Sequence, residues 1–143
     1  MYQKIVIVGN LGGDPEMRYM PDGTAVTNFS VATNRRWTDG ASGQPRDETT
    51  WFRVSVWRKQ AETANQYLSR GSKVLIEGRL KPDPATGGPR TFTRQDGTVG
   101  ASFEITADVI RFLSGRDDAG YDSEDGGGYA DAAPAHEEDD IPF

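Results

Sequence analysis

Trp51-Phe52-Arg53-Val54-Ser55-Val56-Trp57-Arg58-Lys59 is the stretch on which the reading of this chain turns. Taken as a strand, its side chains alternate between two faces. One face carries Trp51, Arg53, Ser55, Trp57 and Lys59, and the other Phe52, Val54 and Val56. The second is an ordinary core face. The first alternates flat aromatic rings with positive charge. Rings of that size on a polar face leave a large apolar area in water unless something covers them. A single-stranded nucleic acid, with flat bases and a negative backbone, suits such a face.

Just before this stretch, Ala25 to Trp37 also reads as a long strand. Phe29 and Val31 belong to a core, whereas Arg35 and Trp37 share their parity and look outward. A bend or bulge is expected between them. Thr38 to Glu48, with Gly40, Gly43, Pro45 and Arg46, is expected to be a mobile hairpin loop. Earlier still, Lys4 to Val8 is a β-branched run with two apolar faces. It should be buried on both sides, within a barrel or against another subunit. Gly9 to Pro15 should bend the chain sharply, Glu16 to Met20 is a short extended piece, and Pro21-Asp22-Gly23-Thr24 is a tight turn.

Beyond Lys59 the period changes. Ala61, Ala64 and Leu68 recur at helical spacing, which predicts a helix over Gln60 to Ser69 with Gly71 as its C-terminal cap. Lys73 to Leu80 is another strand. Three prolines break the ladder between Lys81 and Pro89. Arg90 to Arg94 and Thr98 to Phe103 flank Gln95-Asp96-Gly97, a hairpin signal. A last strand over Ser102 to Arg111 should point Phe103, Ile105, Ala107 and Val109 inward.

The formal net charge of −6 hides two regions. Residues 1–113 hold fifteen bases and twelve acids, a balance of +3, whereas residues 114–143 hold one base and ten acids, a balance of −9. The tail has almost no aliphatic residues, so it cannot offset its ordering entropy and is expected to be disordered. The body is mildly basic. No cysteine is present, which excludes disulfides and thiolate chemistry. The longest aliphatic run is Ile5 to Val8, far short of a membrane span. No leader is recognised ahead of the first strand, and a cytoplasmic, nucleoid-associated location with no membrane role is expected.

Five strands with one short helix between the third and fourth is the layout of the five-stranded Greek-key barrel called the OB-fold. The expected fold class is therefore all-β with one short helix: an OB-fold domain over residues 1–113, then a disordered acidic tail over 114–143. Several motifs sharpen this. Gly9-Asn-Leu-Gly-Gly-Asp-Pro15, Arg18-Tyr-Met-Pro, Trp51-Phe-Arg-Val, Tyr67-Leu, Arg70-Gly-Ser, Ile76-Glu-Gly-Arg-Leu and the terminal Asp-Asp-Ile-Pro-Phe resemble the bacterial single-stranded DNA-binding proteins.

That resemblance implies base stacking on Trp37, Trp51, Trp57 and Phe92. Trp57 stands where the family often has phenylalanine, and Phe92 where it often has tryptophan; either exchange keeps a flat ring. It implies phosphate contacts from Arg53, Lys59, Arg70 and Lys81. Arg35, Arg90 and Arg94 are added from their own positions beside the rings and in the last long hairpin. Phe52 replaces a histidine common in the family. The resemblance also implies a homotetramer, and replication, recombination and repair enzymes as protein partners. The tip Asp139, Asp140, Ile141, Pro142 and Phe143 suits them: an apolar end with a free carboxylate, preceded by acids, fits a basic pocket with a hydrophobic slot.

Catalytic readings are poor. The only histidine, His136, lies in the tail, where no base could be oriented. Gly9-Asn-Leu-Gly-Gly lacks the Lys-Ser/Thr of a P-loop. No cluster of ligands suggests a metal, and no cofactor is expected. The competing reading is an adaptor that uses its tryptophans as protein-interface anchors.

Overall fold

The computed structural model describes residues 1–113. The expectations for the acidic tail and for Asp139 to Phe143 lie outside the described residues. Seven strands and one helix follow in the order β1 (Ile5–Leu11), β2 (Glu16–Tyr19), β3 (Ala25–Thr38), β4 (Pro45–Trp57), α1 (Lys59–Tyr67), β5 (Lys73–Leu80), β6 (Arg90–Thr93) and β7 (Val99–Phe112).

Five of the strands close a barrel. Going round, β1 pairs with β5, β5 with β7, β7 with β4, β4 with β3, and β3 returns to β1. All of these pairs are antiparallel except β4–β7, which is parallel. β2 adds to the open side of β3, and β6 forms a hairpin with the first residues of β7. The five-stranded expectation holds for the barrel itself.

Closure depends on two close backbone approaches. A Cβ on Gly9 would fall on the Ala32 carbonyl where β1 meets β3, and one on Gly78 would fall on the Thr106 carbonyl where β5 meets β7. Inside, Val31, Val54, Val56, Val74, Ile76 and Ile105 are fully buried. Each such side chain contributes about 1.5–3 kcal/mol by leaving water. The helix lies against β2, β3 and β4, with Ala61 and Ala64 inward. The buried Thr27 hydroxyl donates to the Ala61 carbonyl at 2.6 Å, which ties the helix to β3.

Several local expectations are corrected. The bend expected over Gly9 to Pro15 falls at Gly12 and Gly13, because β1 continues through Leu11. β3 has no bulge against β4. The pairing runs unbroken from Val26↔Trp57 to Thr38↔Pro45. Arg35 and Trp37 are outward because the β3–β4 hairpin runs on as an arm past the core residues, not because the strand kinks. The loop there is short, since Pro45 to Glu48 already belong to β4.

The helix starts at Lys59, one residue before the predicted start, and ends at Tyr67, two residues before the predicted end. Its C-cap is Leu68, and Gly71, at φ 88°, belongs to the turn that follows. β7 is one strand from Val99, not a new strand from Ser102. Where it pairs with β5, Glu77 faces Val109 while Gly78 faces Ala107, so Asp108 is an extra residue. The bulge reverses the alternation, and Ile110, not Val109, packs on the core. Phe103 is not a core residue either: it is exposed and leans on Phe52 with ring centroids 6.0 Å apart.

Candidate nucleic-acid interface

The central residue is Trp51 on β4, 54% exposed. Gly12, just past β1, lies against the edge of its six-membered ring, and a Cβ there would collide with that edge. The backbone abuts the edge of the indole, and the ring is half exposed. Two positions on, Arg53 sits opposite Ser30 of β3 and beside Glu104 of β7. Trp51 and Arg53 share the predicted outward face, while Val54 and Val56 are buried and Phe52 packs partly against the core.

The β6–β7 hairpin supplies the other side. Its pairing sets Phe92 opposite Gly100 and Arg90 opposite Ser102. Phe92 is 45% exposed. Arg90 pairs with Glu104 at 3.6 Å, and the Glu104 side chain is only 10% exposed. A nearly buried carboxylate thus anchors Arg90, whose own side chain stays largely in solvent. Trp51, Phe92, Arg53 and Arg90, with Ser30 and Ser102, line one open cleft of about 530 Å³. Arg53 also borders a second cleft, of about 260 Å³, with Gly13, Asp14, Asn28 and Ser30.

The other predicted rings are elsewhere. Trp37 lies on the β3–β4 arm opposite Arg46, and the Arg35 guanidinium stands 4.9 Å from its ring centroid. Its cleft, about 490 Å³, is formed with Arg36, Pro45, Arg46 and Asp47. Trp57 ends β4, six residues or ~20 Å of strand from Trp51. It lines a cleft of about 680 Å³ with Pro21, Asp22, Arg58, Arg79 and Asp108. Only Trp51 and Phe92 of the four predicted rings share one cleft.

The basic residues divide in the same way. Arg94 stands over Phe92, with its guanidinium carbon 5.5 Å from the ring centroid, and donates to the Thr98 hydroxyl and the Val99 carbonyl. Lys81 lines a small cleft with Gln3, Leu80, Pro82 and Phe103. Arg70 is exposed in the turn after α1, where its backbone N–H donates to Asp14. Lys59 is exposed, but it does not continue the tryptophan face. Arg58 takes φ 62° and ψ −133°, which ends the strand, and Lys59 opens the helix. None of Lys59, Arg70 and Lys81 borders the Trp51–Phe92 cleft.

The loop carboxylates spend their charge locally. The Ser42 hydroxyl and then the Ala41 amide hold Asp39 below the ordinary carboxylate range, at the tip of the arm. The Thr98 hydroxyl and then its amide do the same for Asp96 in the β6–β7 turn. In the arm, Asp39 also pairs with Arg46 at 3.8 Å, and Asp47 pairs with Arg36 at 3.5 Å. Among the described residues no group of ligands could hold a metal ion, and no helix is long and apolar enough to cross a membrane.

The sequence model of the single-strand binding protein family matches residues 2–113. The chain belongs to that family. It is a family of non-catalytic DNA-binding proteins, in line with the poor catalytic readings. Two curated relatives from Neisseria meningitidis, one of serogroup A / serotype 4A and one of serogroup B, are each called single-stranded DNA-binding protein. Each is 41% identical over 115 residues, covering 80% of this chain and 62% of the relative. The chain thus matches less than two thirds of the length of these relatives. A solved structure, a Plasmodium falciparum SSB complex with ssDNA, aligns with a TM-score of 0.65 at 24% identity, covering 80% of this chain and 97% of that one. This likeness concerns the fold, and it agrees with the closed barrel.

For a single-strand binding family member, sequence reasoning missed Gly12, Gly100, Glu104 and Arg58. Gly12 lies inside the Gly9–Pro15 motif, yet a glycine that seats a ring is indistinguishable in sequence from one that makes a turn. Glu104 reads as an ordinary outward acid until β6 places Arg90 beside it.

Proposed function

We propose that this chain binds single-stranded DNA without sequence specificity, by stacking bases on Trp51 and Phe92 and neutralising phosphates with Arg53, Arg90 and Arg94. One observation carries this reading: two exposed rings from different elements border a single open cleft, with two arginines on its rim. Membership of the family, the names of the Neisseria relatives and the ssDNA in the Plasmodium complex support the choice of single-stranded DNA. Stacking on an aromatic ring is worth ~1–3 kcal/mol per base and tolerates any sequence, and this family is the usual illustration of it. Trp37 with Arg35 on the arm, and Trp57 at the far end of β4, extend the track. Lys59, Arg70 and Lys81 serve as outlying phosphate contacts.

The protein is a homotetramer in this reading. Val6 and Val8 support it, because they leave an apolar face of β1 that is 52% and 45% exposed in the single chain. It acts in the cytoplasm, on the nucleoid, protecting strands during replication, recombination and repair. Its tail recruits the enzymes of those processes through Asp139, Asp140, Ile141, Pro142 and Phe143.

Binding to oligo(dT) by Trp51→Ala and Phe92→Ala tests the central part. Each should lose roughly 5- to 150-fold in affinity, the equivalent of one stacked base, with circular dichroism unchanged. Variants that bind oligo(dT) as tightly as the parent would favour the adaptor reading, in which the rings anchor a protein.

A further inference from the structure

Gly100 is buried in β7, and its backbone has no left-handed φ that would call for glycine. A side chain there is excluded by its neighbours. A Cβ would stand 2.6 and 2.7 Å from two atoms of the Phe92 ring and 2.9 Å from an Arg94 guanidinium nitrogen. The tip of the Phe92 ring therefore lies close against the β7 backbone at its cross-strand partner. Arg94 closes on the same spot and is itself tied to Thr98 and Val99. An aromatic ring laid over a cross-strand glycine is also a known way to stabilise a weak strand pair.

We propose that Gly100 is a positioning residue for base stacking, a seat that fixes the Phe92 ring at the rim of the Trp51 cleft. This rests on the proposed binding of single-stranded DNA. Three observations join here. Phe92 stands on a four-residue strand that pairs with β7 alone, so the hairpin does not by itself hold the ring still. The glycine lets the ring tip close on the β7 backbone while the ring stays 45% exposed. The nearest framework residue, Ala101, lines the same cleft, so the seat and the cleft share a backbone. Trp51, which lines the same cleft, likewise has a glycine, Gly12, against the edge of its ring.

The test is a double-mutant cycle on the full chain with oligo(dT), joined to a resonance of Gly100. Gly100→Ala should weaken binding about three-fold or more, by no more than Phe92→Ala does, and should cost nothing further in the Phe92→Ala background. In the parent chain, selectively labelled Gly100 should show α-protons displaced by the ring current of Phe92, and Phe92→Ala should abolish that displacement. Parental affinity in Gly100→Ala, an additive loss in the double variant, or unshifted Gly100 protons would each overturn the seat. The resonance needs no Gly100 variant, so it decides even if that variant misfolds. A parent chain that fails to bind oligo(dT) overturns the binding reading and the role of Gly100 with it, while the resonance still judges the contact.

Discussion

Arg58 is the one residue among those described, glycines apart, with a positive φ. At φ 62° and ψ −133° its side chain sits where only glycine is comfortable, a cost of about 1–3 kcal/mol. The position is forced because β4 must stop at Trp57 and α1 must start at Lys59 with no intervening loop. Arg58→Gly should relieve the strain and, after glycine's own entropy cost, raise stability by about 1 kcal/mol in urea denaturation. A drop would show that the arginine's contacts outweigh the strain. Arg53 offers a second residue-level test. If it neutralises one phosphate, Arg53→Ala should reduce the slope of log affinity against log salt by about 0.7. The rings and their flanking charges were legible in the sequence, because alternation reveals which face a side chain takes. It does not reveal distance. Trp51 and Trp57 share a parity yet line separate clefts.

At the scale of elements, the order of strands and helix could be read from periodicity and from the turn residues between them. Two features could not. The β3–β4 arm has the pattern of a strand needing a bulge, because Arg35 and Trp37 share parity with core residues. A hairpin that outruns the core has the same pattern. The real bulge is at Asp108, a single residue with no compositional mark. It makes a sharp prediction. Ile110→Asp should destabilise the fold by several kcal/mol, since it places a charge against the core. Val109→Asp should cost much less, the reverse of what strand parity across β7 implies. Chemical denaturation of the two variants checks this, and equal losses would contradict the bulge.

At the scale of the whole molecule, closure of the barrel was implied by strand count, but its means were not. Gly9 and Gly78 work by how closely two strands pass, a relation between distant segments. The charge split was legible as well: a mildly basic body can attract a polyanion although the chain is acidic overall. The double apolar face of β1 calls for a barrel or a partner, and in the single chain one face is still uncovered. Val6→Asp with Val8→Asp should therefore lower the mass seen by light scattering at micromolar concentration, while the circular dichroism stays that of a barrel. An unchanged mass would place any self-association elsewhere.

Trp51 is the stacking platform for unpaired bases on which the proposed function turns. The most direct measurement uses the chain with Trp37→Phe and Trp57→Phe, so that Trp51 is the sole reporter. Its emission should be strongly quenched on titration with oligo(dT) at low salt, should recover as salt is raised, and should stay unchanged with blunt duplex DNA. Emission indifferent to oligo(dT) at saturating concentration would rule out base stacking on Trp51.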